Sequence, residues 1–159
     1  MTFFDYPDSD EQSPTTATAD VFLPDASEED WAILVRHCLR RRFAAGDTVM
    51  SPGGTERSLY LIVDGTLEVS APLTARRTGR FKHVATVEAG SVLGEMSFFE
   101  HVGRSALVQA TTSVEILELG PAGFDALAED SPTLARQILF DLGRILAHRL
   151  RVAEYALGT

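Results

Sequence analysis

The 159 residues, 45% of them apolar and carrying a formal net charge of −9, suffice for one domain with its own hydrophobic core. No apolar run approaches the ~18 residues that a membrane span needs. The stretch from Met1 to Asp10 lacks the cationic and apolar blocks of a secretory signal, and a single cysteine, Cys38, excludes an intrachain disulfide, so a cytoplasmic, membrane-free protein is expected.

The charge is unevenly placed. Residues 1–30 hold nine acids and no Lys or Arg, whereas residues 31–159 carry 14 basic and 14 acidic side chains. A neutral body behind an acidic head does not suit direct contact with nucleic acid.

Residues 1–20, rich in Ser, Thr, Asp and Pro, are expected to form a disordered acidic segment, followed by one domain over 21–159. Ser27 with Asp30 three residues on reads as a capping box, and Glu28 and Glu29 suit the positive end of a helix. Trp31, Leu34, Val35, Cys38 and Leu39 recur at helical steps, which places Arg40, Arg41 and Arg42 in the last turn. From Phe43 the period becomes that of strands. Leu59–Val63, the turn Asp64-Gly65 and Thr66–Ser70 read as a hairpin with a type I′ turn. His83–Val87, Ala106–Ala110 and Val114–Leu119 are further strands, and Ala75–Phe81 is a polar hairpin tip. Beyond Gly120-Pro121 the helical period returns, with a short helix over Ala122–Ala128. A long helix follows from about Pro132 to about Ala156, capped by Ser131.

This order predicts a mainly β fold with flanking helices: a double-stranded, jelly-roll-like β-roll over 43–119, one N-terminal helix, and two C-terminal helices within 121–157.

The segment from Gly90 to Ala106 carries the chemistry. Glu95 and Arg104 stand nine residues apart around a turn-prone stretch. Gly94 permits close backbone approach to a ligand. Residues 95–99 can form one helical turn, whose free N–H groups favour a phosphate. The Arg104 guanidinium forks onto two phosphate oxygens, and Ser105 adds a hydroxyl. An ionised Glu95 only accepts hydrogen bonds, which suits a ribose hydroxyl and repels a phosphate.

Gly94-Glu95 followed by Arg104-Ser105-Ala106 resembles, in identity and spacing, the phosphate-binding cassette of the cyclic nucleotide-binding domain family. The likeness runs from about residue 27 to about 157, with Phe43–Asp47 and Tyr60–Gly65 at the family's other glycine-marked turns. It implies that Glu95 holds the ribose 2′-hydroxyl, that Arg104 and Ser105 hold the cyclic phosphate, and that Gly94, Met96 and Ala106 line the site. The ligand implied is a cyclic mononucleotide, cyclic AMP first and cyclic GMP second, with no catalytic residue, metal or other cofactor. Two departures stand out: Ser97-Phe98-Phe99 is bulkier than the family's usual Ala-Leu, which bears on the pocket's size, and Gly103 replaces a common Pro.

The expectation is a stand-alone regulatory domain that signals to an effector protein, itself not identified, by moving its C-terminal helix. The alternative is a β-roll that has lost its ligand and acts as a protein–protein interaction module, with Glu95 and Arg104 as a structural ion pair. A metal-dependent cupin would need clustered ligands, whereas His37, His83, His101 and His148 are scattered. Cys38 reads as a small buried hydrophobe. Leu134, Ile138, Leu142, Ile145, Leu146, Leu150 and Ala153 form a stripe on the last helix. That stripe can pack on the roll, cover the base, or pair with a second copy as a homodimer.

Overall fold

The computed structural model describes residues 21–73 and 79–158. The expected disordered segment, 1–20, and most of the expected hairpin tip lie outside them.

Ser27 caps helix α1 (Glu28–Arg36): its side chain accepts from the Asp30 N–H, and the Asp30 carboxylate accepts from the Ser27 N–H. The helix stops there, six residues before Arg42. Leu39–Phe43 forms strand β1, which pairs antiparallel with the later strand β8 (Val114–Leu119). The three arginines expected in a helical turn therefore lie in a strand. Arg40 and Arg42 reach Glu115 at 2.8 and 3.7 Å, and Arg41 reaches Glu118 at 3.5 Å. Such exposed pairs contribute little; the strand ladder itself outweighs the helical spacing.

Strands β2 (Thr48–Met50), β3 (Leu59–Asp64), β4 (Thr66–Pro72), β5 (Phe81–Glu88), β6 (Val92–Leu93) and β7 (Leu107–Ala110) complete the roll. One sheet runs β1-β8-β3-β6 and the other β2-β7-β4-β5. The expected hairpin of β3 with β4 is not made, because the two strands belong to different sheets. Gly65, with φ +95°, turns the chain from one sheet into the other, and a Cβ there would run into the Ser113 carbonyl and the Val114 side chain. The hairpin that does form is β4 with β5, paired from Thr66 opposite Glu88 to Pro72 opposite Phe81 with a one-residue register shift between Val69 and Ser70.

Two-residue alternation sorts the core into two layers. Tyr60 and Ile62 of β3, with Val114 and Ile116 of β8 and Leu93 of β6, point into the roll between the sheets. Leu59, Leu61, Leu117, Leu119 and Val92 point the other way, against the helices. Strands buried on both faces need apolar residues at consecutive positions, as Leu59–Ile62 supplies. The second layer is closed by α3 (Pro121–Asp130) and α4 (Pro132–Leu157), which contribute Leu127, Leu134, Ile138, Leu142 and Ile145. Ser131 caps α4 by accepting from the Leu134 N–H. Beyond Ile145 the stripe leaves the roll: Leu150 is 63% exposed. The double-stranded β-roll with flanking helices is thus the fold, with β1 starting four residues ahead of Phe43.

Candidate functional site

Between β6 and the loop before β7, the chain makes one short helix, α2 (Glu95–Phe99). Gly94 caps it at φ +83°. A Cβ at this position would meet Arg104 Nη1 and lie 2.7 Å from the Ser58 carbonyl, so glycine serves both the backbone turn and the space Arg104 fills. Arg104 is only 5% exposed. Its Nη1 donates to Gly94 O (3.2 Å) and its Nη2 to Ser58 O (2.8 Å), while the guanidinium sits 5.2 Å from the centre of the Tyr60 ring. Its Nε, also buried, has no hydrogen-bond partner among the described residues.

Glu95, 8% exposed, is not paired with Arg104. It accepts from Arg149 Nη1 at 2.7 Å, and Arg149 Nη2 donates to Val92 O at 2.8 Å. A structural ion pair between Glu95 and Arg104 is therefore not what this arrangement makes: one residue answers to the last helix, the other to backbone carbonyls. Gly94, Glu95, Met96, Arg104, Ser105 and Ala106 all line one cavity of about 730 Å³, roofed by α4. Residues separated by a full loop in sequence share one wall, linked by the hydrogen bond from Arg104 Nη1 to Gly94 O. A backbone ladder holds them there: Gly53 N donates to Arg104 O and Arg104 N to Gly54 O, both at 2.8 Å.

Residues 40–131 match the family of the cyclic nucleotide-binding domain. The chain belongs to the cyclic nucleotide-binding domain family. It is 31% identical over 129 residues to the cAMP-activated global transcriptional regulator Vfr of Pseudomonas aeruginosa, covering 79% of this chain and 57% of Vfr. It is 29% identical over 132 residues to glutaminase 1 of Bradyrhizobium diazoefficiens, covering 83% of this chain and 20% of that protein. The chain thus spans little more than half of the first relative and a fifth of the second. Among solved structures, the Thermus thermophilus catabolite activator protein superposes with a TM-score of 0.74 at 25% identity, over 86% of this chain and 61% of that one. The family is regulatory and binds ligands; it is not a catalytic one.

In this cyclic nucleotide-binding domain the bulky Phe98 and Phe99 do not narrow the cavity. Phe98 turns into the helical core layer, edge-on to Phe124 of α3 at 5.5 Å, and the cavity is lined by Met96 and Ser97 instead. Arg57 donates to the carbonyls of Ser97 and Phe98 at 3.4 and 3.3 Å, supporting α2 from outside.

Sequence reasoning missed Arg149 of the last helix. The available signal was weak: a buried carboxylate at Glu95 needs a cation, but nothing local says which of thirteen arginines supplies it. Among the described residues no three His, Cys, Asp or Glu side chains come together as a metal site would need, and no helix is long and apolar enough to cross a membrane.

Proposed function

We propose that this chain is a cytoplasmic sensor domain that binds a cyclic mononucleotide, with cyclic AMP as its first ligand and cyclic GMP as the second candidate. The observation that carries the reading is Arg104: a cation withdrawn from water at a cavity wall, with one N–H still unpartnered among the described residues. Leaving such a group unpaired is costly, and an anionic ligand oxygen would meet that need. In this reading Arg104 and Ser105 take the cyclic phosphate, Glu95 takes the ribose 2′-hydroxyl, and Gly94, Met96 and Ala106 complete the wall. The name of Vfr favours cyclic AMP.

Signalling would run through α4. Arg149 joins that helix to Glu95, so a ribose hydroxyl arriving at Glu95 must share the carboxylate with Arg149. A ligand shifts the helix only by binding one of its positions better than the other. Past Ile145 the helix roofs the cavity with one side and carries apolar side chains into solvent on the other: Leu150 and Tyr155 are 63 and 75% exposed. That apolar half favours pairing with a second copy of the chain, or docking an effector protein, over direct nucleic-acid contact by this acidic chain.

Calorimetric titration with cyclic AMP and cyclic GMP, repeated on Arg104→Ala, tests the reading. Micromolar or tighter binding that the substitution abolishes supports it. Absence of heat with both nucleotides, after removal of any co-purified ligand, would transfer the case to a ligand-free interaction module acting through α4.

A further inference from the structure

We infer that a groove between α3 and α4 is the docking site of the chain's own aromatic head, Phe3-Phe4-Asp5-Tyr6. The groove is lined by Phe124 and Ala128 of α3 and by Leu139 and Phe140 of α4, with Arg136 as its cation. It shares no residue with the cavity that Glu95 and Arg104 line. Leu139 is 42% exposed and Phe140 80%. A single exposed apolar side chain is ordinary, but two neighbours opening onto an apolar groove form a patch of the kind that binds something. Among the described residues Arg136 has no ion-pair partner.

The path of the chain at Val21 points to the occupant. The Val21 carbonyl accepts from Arg144 Nη2 at 2.7 Å, and the Leu23 N–H donates to Asp141 Oδ2 at 2.6 Å, so this segment is fastened to α4. Arg136, Phe140 and Arg144 recur at every fourth residue and therefore share one face of the helix. The chain is thus held about one turn from Phe140 and about two turns, ~12 Å, from Arg136. Fourteen residues separate Tyr6 from Val21, and extended they span about 45 Å, so the head reaches the groove with slack. A tether of this length holds its end at an effective concentration on the order of millimolar, so a contact too weak to join separate molecules can form within one.

The chemistry of the head matches the groove. Residues 1–20 carry Asp5, Asp8, Asp10, Glu11 and Asp20 and no Lys or Arg, and their aromatic side chains, Phe3, Phe4 and Tyr6, fall within four positions. The rings suit Leu139 and Phe140, and Asp5, standing among them, suits Arg136. A second copy fits this face less well. A two-fold interface brings the same patch from both sides, which sets arginine against arginine. Docked here, the head covers the apolar face of α4 ahead of Ile145 and leaves association with other proteins to the half beyond it.

The test uses the full chain with the photoreactive amino acid p-benzoylphenylalanine in place of Phe4, irradiated, digested and mapped by mass spectrometry. Cross-links to residues 124–140 of the same molecule are expected, falling about fivefold or more when Phe140→Asp is added, as loss of one buried aromatic contact implies. Phe140 belongs to neither core layer nor to the nucleotide cavity, so this variant should keep its melting temperature. Mixing isotope-labelled with unlabelled chain separates contacts within a molecule from contacts between molecules. Cross-links that join labelled to unlabelled chain overturn the inference in favour of a second copy. Cross-links outside 124–140, no cross-link at all, or a yield that Phe140→Asp leaves unchanged overturn it as well.

Discussion

Arg149 of the last helix donates to Glu95 of the cassette at 2.7 Å across 54 residues of chain, and its second terminal nitrogen reaches Val92 O at 2.8 Å. The Glu95 side chain is 10% exposed and that of Arg149 26%, so the pair is largely withdrawn from solvent. Removal of Arg149 leaves Glu95 short of a counter-charge in a place where water compensates poorly, and removal of Glu95 takes away the bond that ties the helix to this wall. Arg149→Met and Glu95→Gln are each expected to lower stability to urea by ~1–3 kcal/mol. The double variant should lose clearly less than the sum of the two. Strict additivity in that cycle would show that the bond contributes nothing to holding α4 on the cassette.

Gly94 presents a sharper case. An alanine would have to hold φ +83° and place its Cβ against Arg104 Nη1 and the Ser58 carbonyl. The strained backbone alone costs ~1–3 kcal/mol, and relief of the clash must push the guanidinium off its carbonyls. Gly94→Ala is expected to lower the melting temperature and also to weaken nucleotide binding by at least tenfold. Retention of wild-type affinity in a folded Gly94→Ala protein would mean that Arg104 does not serve the ligand from this position.

Asp130, at the end of α3, ties down the end of α1. The hydrogen bond from His37 (3.0 Å), then that from Arg36 (2.6 Å), holds its carboxyl below the usual value of 3.8. A carboxylate with a depressed folded pKa adds stability that is present above the unfolded value and lost as pH falls through the folded one. Asp130→Asn should therefore be less stable than wild type at neutral pH, with the gap closing only below about pH 4 as the wild-type carboxyl takes up its proton. Melting curves from pH 2 to 7 give the comparison; a gap of constant size across that range would show that the carboxylate charge plays no part.

Burial pushes the Cys38 thiol up to about 12. Only the thiolate is nucleophilic, so the native protein should react with a disulfide reagent at pH 8 at least a hundredfold more slowly than the same chain in guanidinium. Equal rates in the two states would place Cys38 at the surface and count against its packing beside the helical core layer.

Much of the architecture is written in short-range signals. The caps at Ser27 and Ser131 act through hydrogen bonds three residues away, and both appear where serine spacing places them. The helical turn at 95–99 and the long final helix are likewise local, and the Gly94-Glu95 and Arg104-Ser105-Ala106 pattern points to the family. Elsewhere local reading fails in a consistent way. Asp64-Gly65 carries the residues of a hairpin turn, yet β3 and β4 part into different sheets because β8 and β7 are their better partners. Arg40–Arg42 fit a helix terminus by charge but join a strand because β8 lies beside them.

What the amino-acid sequence determined by itself is therefore the order of the main elements and the family to which the chain belongs. The order depends on dihedral preference, capping and period, which act within a few positions. What only the tertiary structure decided is who faces whom: the sheet to which each strand belongs, the pairing of Glu95 with Arg149 in place of Arg104, and the turning of Phe98 away from the cavity. Such choices are made by competition among partners distant in the chain, and the outcome is set by the burial and pairing each alternative achieves, which no local pattern of residues encodes.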